Sequence, residues 1–103
     1  MLIYRVMNLE EFDETMKYKS FSFLKRFKWF SVDIIWIRNR VRDGRFNNSN
    51  FKKDRYKHLL YFDIDDNELQ YFTKVGHHEL MLDRRRSHNV GIKFIKELKN
   101  ERI

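Results

Sequence analysis

Apolar and polar positions follow two rhythms along this chain. LIYRV, at 2–6, is β-prone and apolar except for Arg5, which predicts a first strand. NLEEFDETMKY then takes up a helical rhythm. Leu9, Phe12 and Met16 fall on one face, with Glu10, Asp13, Glu14 and Lys17 elsewhere. Asn8 is placed to cap this helix, and Glu11, three positions on, to return the bond as in a capping box. FSFLKRFKWF, at 21–30, is aromatic and basic by turns and predicts an irregular strand or loop. SVDIIWIRNRV, at 31–41, fits two patterns. Ser31 would cap a helix burying Ile34, Ile37 and Val41, whereas DIIWI alone would serve as a strand. Gly44, a natural stop after RNRVRD, favours the helix.

From Arg45 to Lys57 the pattern lapses into a long polar loop. HLLYFDID restores it most clearly. Leu60, Phe62 and Ile64 line one face and Leu59 and Tyr61 the other, which predicts a central strand covered on both sides. Asp65 or Asp66 can cap a short helical turn carrying Leu69 and Phe72. HELML predicts a further strand, DRRRSHN a turn or loop, and VGIKFI a final strand. The order implies one α+β domain over 1–103, with two to three helices. Its mixed or antiparallel sheet holds LIYRV, HLLYFDID, HELML and VGIKFI.

Composition narrows the chemistry. The 103 residues include no cysteine, which removes disulfides, a thiol nucleophile and thiolate metal sites. Aromatics make up 17% of the chain and ten of them are Phe, enough for a dense core in a small domain. MLIYRV lacks the form of a secretory signal, and no window approaches the ~18 apolar residues of a membrane span. A cytoplasmic protein is expected. The net charge of +7 favours encounters with polyanions. A metal site is not expected: adjacent His77 and His78 would point to opposite sides of a strand, and DIDD lacks the glycine and terminal Glu of a calcium loop.

KVGHHELMLDRRRSH, at 74–88, sets a carboxylate among cations. On a strand, His77 and Glu79 would share a face, and the pair could bind a ribose hydroxyl and stabilise developing positive charge. The simpler alternative is a surface pair of Glu79 with Arg84 or Arg85, worth about 0–1 kcal/mol.

Three short motifs occur in a suggestive order: Tyr4–Arg5 in LIYRVM, Trp29–Phe30–Ser31 in KWFSVD and Glu79 in GHHELML. In this the chain resembles a compact, phage-type ADP-ribosyltransferase-like domain of the Arg–Ser–Glu branch. The resemblance implies an NAD site and transfer of ADP-ribose to a macromolecular target. Arg5 would hold the phosphates or the nicotinamide ribose, beside Tyr4. Ser31 would steady that ribose, Trp29 or Phe30 would stack on the base, and Glu79 would be the catalytic carboxylate, with His77 nearby. Many members that modify arginine carry Glu or Gln where His77 stands. Arg5, Ser31 and Glu79 must then converge on one cleft.

Two other classes compete. KRFKWF, RNRVRDGRF and FKKDRYKH interleave cations with aromatics, as nucleic-acid binding requires. That reading, with or without RNA cleavage, needs Arg38, Arg40, Arg42, Arg45, Lys52, Lys53 and Arg55 on one continuous face. Arg84, Arg85 and Arg86 extend the candidate nucleic-acid or partner surface. The third class is a small inhibitor or adaptor that docks on one host protein, anchored by exposed aromatic and Arg residues.

Overall fold

A six-stranded antiparallel sheet forms the centre of the molecule, and its strand order places the first strand in the middle. The computed structural model describes residues 1–18, 27–43, 58–83, 85–86 and 90, and the backbone of 93–99. The strands are β1 (Leu2–Met7), β2 (Phe27–Ser31), β3 (His58–Asp63), β4 (Phe72–Val75), β5 (Glu79–Asp83) and β6 (Lys93–Lys99). They lie side by side in the order β4-β5-β2-β1-β3-β6, and every neighbouring pair is antiparallel. Among the described residues, two helices, α1 (Leu9–Tyr18) and α2 (Ile34–Arg42), and a 3-10 segment at Asp66–Tyr71 accompany the sheet in an α+β arrangement.

Strand alternation sorts the side chains onto two faces. On one face Ile3, Met7, Phe30, Leu60, Phe62, Ile64, Leu80 and Leu82 form the larger core, with Phe12 of α1 packed against it. Phe30 meets Phe62 and Phe72 edge-on, at centroid distances of 6.2 and 5.7 Å. The many phenylalanines thus fill the interior with offset ring contacts. On the other face Tyr4, Val6 and Leu59 pack against Ile37 and Val41 of α2, with Tyr61 at the margin. β1 and β3 are therefore covered on both sides, as the two-sided pattern of HLLYFDID predicts.

Several expectations need correcting. The sheet gains β4, which the hydrophobic pattern did not single out, and the choice of strand or loop left open over 21–30 resolves as a strand at β2. The ambiguity there comes from Lys28, a cation on the core-facing side of the strand. The 31–41 segment resolves as a helix, but its cap is Asp33, whose side chain accepts bonds from Ile35 N and Trp36 N; Ser31 ends the preceding strand. The buried side of α1 is also rotated from the predicted one. Glu11 and Thr15 are buried while Leu9 is exposed, because the sheet beneath presents two cations that require a carboxylate. Asn8 does cap α1, accepting from Glu11 N at 2.9 Å, yet the Glu11 side chain turns to the sheet.

At the other end of the sheet, Asp65 opens the 3-10 segment, and its N–H donates to Glu68 Oε1 at 2.8 Å. Phe72 is buried as the first residue of β4. β4 and β5 form a hairpin whose turn contains Gly76 at φ 67°. His77 and His78 lie in that turn, so the alternation that paired His77 with Glu79 on one strand face does not apply. The predicted loop from Arg45 to Lys57 lies outside the described residues, as do Gly91 and Ile92 of VGIKFI.

Candidate functional site

Arg5 projects into the larger core, where residue chemistry alone would not place a guanidinium. It is retained there by Glu11. Arg5 Nη2 donates to Glu11 Oε1 at 3.0 Å and Oε2 at 3.1 Å, and Arg5 Nε donates to Oε2 at 3.2 Å. Arg5 Nη1 donates to the Trp29 carbonyl at 2.8 Å, and its guanidinium carbon lies 5.7 Å from the Phe30 ring centroid. Lys28 also donates to Glu11 Oε2. Arg5, Glu11 and Lys28 are only 9%, 7% and 5% exposed.

This buried triad carries one carboxylate for two cations. Burial works to raise the Glu11 pKa, but the charges and hydrogen bonds of Arg5 and Lys28 outweigh it and hold the carboxyl below its ordinary value. Burial, followed by the Arg5 charge, pushes the Lys28 ammonium downward against the opposing pull of Glu11. A planar guanidinium engaged at three of its nitrogens has little left to offer a ligand.

Ser31 and Glu79 belong to the opposite face. They are Cα partners across β2 and β5, and the same row continues through Tyr4 to Tyr61. Ser31 is 1% exposed. Its Oγ donates to the Asp33 carbonyl at 2.9 Å and accepts from Asp33 N at 3.0 Å. The hydroxyl thus shapes the strand-to-helix turn. Tyr4 is buried edge-on to Tyr61 at 5.0 Å, and burial, then Tyr61, raises its phenol above the usual value. Phe30 is a core residue. The convergence of Arg5, Ser31 and Glu79 on one cleft is therefore not made: Arg5 lies on the α1 side and the other two on the α2 side.

The α2 side has a feature the sequence did not reveal. α2 packs over β1 and β3 and reaches β2 at Ser31, and no other described element covers the same face of β2, β5 and β4. Trp29, on this half, is 44% exposed. Its strand partner is Met81, and Met81 in turn pairs with Thr73; Val75, at the margin, is exposed. One border of this open half is a stacked series. Trp36 lies against His78 at 5.4 Å and 19°, and Arg40 lies 4.6 Å from the Trp36 ring centroid. His78 Nδ1 is 3.5 Å from Asp33 Oδ2, and Val32 N donates to the His78 carbonyl at 3.0 Å. The helix cap, the hairpin turn and the Trp36 ring are thereby tied together. The side chain of Glu79, half-buried on the open half, makes no hydrogen bond or ion pair with another described residue.

The predicted basic surface divides. Arg38 reaches over β3, donating to Tyr61 Oη at 2.9 Å, whereas Arg40 lies against Trp36. Arg42 donates to Asn39 Oδ1 at 2.7 Å. A step of two residues turns a helix by more than half a circle, so Arg40 cannot share a face with Arg38 and Arg42. Arg85 bonds to Asp83 at 3.0 Å rather than to Glu79, and Arg86 is exposed. Arg45, Lys52, Lys53, Arg55 and Arg84 lie outside the described residues. Among the described residues no group of three or more His, Asp or Glu side chains could hold a metal ion, and no helix is long and apolar enough to cross a membrane.

No family model, no curated protein and no solved structure matches the chain.

The sequence pattern passed over Lys28, Asp33 and Trp36, and it gave Glu11 only a capping role and His78 only a place on a strand. A signal existed for Lys28. Lys28 shares strand parity with Phe30, so a strand reading of KWFS puts both on the core side and demands a nearby carboxylate.

Proposed function

We propose that this protein is a small docking module that binds another protein on the open half of its sheet. The observation that carries this reading is exposed Trp29, set in a strand surface with Met81, Thr73 and Val75 and bordered by Trp36 and Arg40. Trp, Met and Arg are enriched in protein interfaces, and a Trp on a rigid strand loses little conformational freedom when it is buried by a partner. The carboxylates of Glu79 and Asp83 on the same side disfavour a phosphate backbone there. The nucleic-acid reading is weaker for that reason, although the +7 charge remains in its favour.

The transferase reading retains one supporting observation, the pairing of Ser31 with Glu79 in a row that includes Tyr4. Against it, Arg5, the arginine it names, is engaged by Glu11 and the Trp29 carbonyl. Incubation with labelled NAD and lysate, alongside Glu79→Gln, tests it directly. Under the docking reading neither protein transfers label or releases nicotinamide, and NAD leaves the melting temperature unchanged.

Site-specific photo-crosslinking tests the docking reading itself. A photoreactive side chain in place of Thr73 should give a discrete protein adduct in cells. That adduct should disappear in the Trp29→Ala background and be absent when the same group replaces Lys17 on α1. Adducts with nucleic acid alone, or equal adducts from both positions, would overturn the proposal.

A further inference from the structure

Within the open half of the sheet, one polar group stands out by what it lacks. The neighbouring carboxylates are engaged: Asp33 accepts from Ile35 N and Trp36 N and faces His78, and Asp83 accepts from Arg85. The Ser31 hydroxyl, closest to Glu79 across the strands, is committed to Asp33. Glu79 itself is half-buried among Ser31, Val75 and Met81 positions with no described partner. Its diagonal neighbour is Trp29, since Trp29 pairs with Met81 and Ser31 with Glu79. Diagonal side chains in an antiparallel pair lie about 7–8 Å apart, close enough for one ligand group to touch an indole and a carboxylate together.

We infer that Glu79 and Trp29 form a seat for a single cationic side chain, arginine in preference to lysine, presented by the docked partner; the inference rests on the docking reading for the source of that side chain. A guanidinium can lie flat on the indole and donate two parallel bonds to the carboxylate, which a lysine ammonium cannot. The fold uses the same chemistry twice internally, with Arg5 near Phe30 and Arg40 near Trp36. Trp36 is already covered by Arg40 and His78, so Trp29 is the indole left for a partner. The +7 charge of the chain opposes a polybasic ligand. The seat therefore selects one arginine in an otherwise neutral or acidic surface.

The test is an NMR titration of the whole chain with N-acetyl-arginine amide, its lysine counterpart and the neutral isostere N-acetyl-citrulline amide. The arginine compound should produce saturable shifts at the Trp29 indole N–H and the Glu79 amide, with lysine weaker and citrulline silent. Glu79→Gln and Trp29→Ala should each weaken binding about two- to fivefold while the Trp36 indole signal stays in place. Citrulline binding as well as arginine, or full affinity in Glu79→Gln, would overturn the seat. If the Thr73 protein adduct forms but arginine fails to bind, the seat falls and the docking reading stands. If arginine binds at Glu79 and no protein adduct forms, the docking reading falls instead.

Discussion

Replacing Glu11 by glutamine should be among the most damaging conservative substitutions in this protein. The amide keeps the shape of the side chain but removes the single negative charge that serves both Arg5 and Lys28. Arg5 and Lys28 would then lose their shared carboxylate in a pocket where all three residues are more than nine-tenths buried. Breaking a buried ion pair by removing one partner costs about 3–5 kcal/mol, a large part of the ~5–15 kcal/mol that holds a domain folded. At about 4–8 °C per kcal/mol for a domain near this size, the melting temperature should fall by more than about 10 °C. Lys28→Met is the informative contrast. It leaves the Arg5–Glu11 pair intact and neutral, so it should cost about 1 kcal/mol or less and restore part of the loss when combined with Glu11→Gln.

Urea denaturation followed by circular dichroism, at several pH values, measures all three variants. Glu11 has a folded pKa below its ordinary 4.5, so its stabilisation is complete above that value and disappears as pH falls through the folded pKa. Lys28 is likewise lowered from 10.5. The unfolded chain then binds the extra proton in the interval below 10.5, and stability should rise with pH across it. Lys28→Met should abolish that alkaline rise. A Glu11→Gln protein within about 1 kcal/mol of the parent would refute the reasoning, since the loss expected from an uncompensated pair of buried cations is several times larger.

Substitutions at three further positions probe the frame that holds the sheet. Asp33→Ala removes the α2 cap and the acceptor near His78, and should cost about 0.5–2 kcal/mol in denaturant unfolding. Gly76→Ala meets no atom within 4 Å, so its expected loss of about 1 kcal/mol comes from the positive φ of 67° alone, and Gly76→Asn should lose less. Phe30→Ala opens a cavity between Phe62 and Phe72 and should cost about 3–5 kcal/mol, measured by the same unfolding curves.

The sequence pattern carried the scaffold well where side chains obeyed one rule at a time. β1, β3, the helix after β1 and the helical reading of 31–41 were all legible, and in β3 and α2 the buried positions are apolar throughout. The pattern failed where a buried position is polar. Glu11, Thr15 and Lys28 are core-facing, and hydrophobic periodicity scores each of them as solvent-facing. That error rotated α1 and left β2 undecided between strand and loop. Arg5 shows the same limit from the other direction: an arginine in a buried strand reads as a functional residue until its carboxylate is found, and Glu11 lies in another element. The open half-face depends on where α2 packs across the sheet, which no local pattern encodes.

The order β4-β5-β2-β1-β3-β6 also bears on how the molecule is assembled in time. β1 is the first strand in the chain and the third or fourth across the sheet, so its two flanks are filled by segments made later and from opposite directions. β4 and β5 are joined by a tight turn and can pair early as a hairpin. That hairpin must then find β2, which lies on the far side of α2 and β3 in the sequence. Joining such distant segments delays the rewarding contacts until much chain entropy has been lost, which slows folding. Until the hairpin arrives, β2 has an unpaired edge beside the buried cations, and this interval is when the chain is most exposed to pairing with another copy of itself.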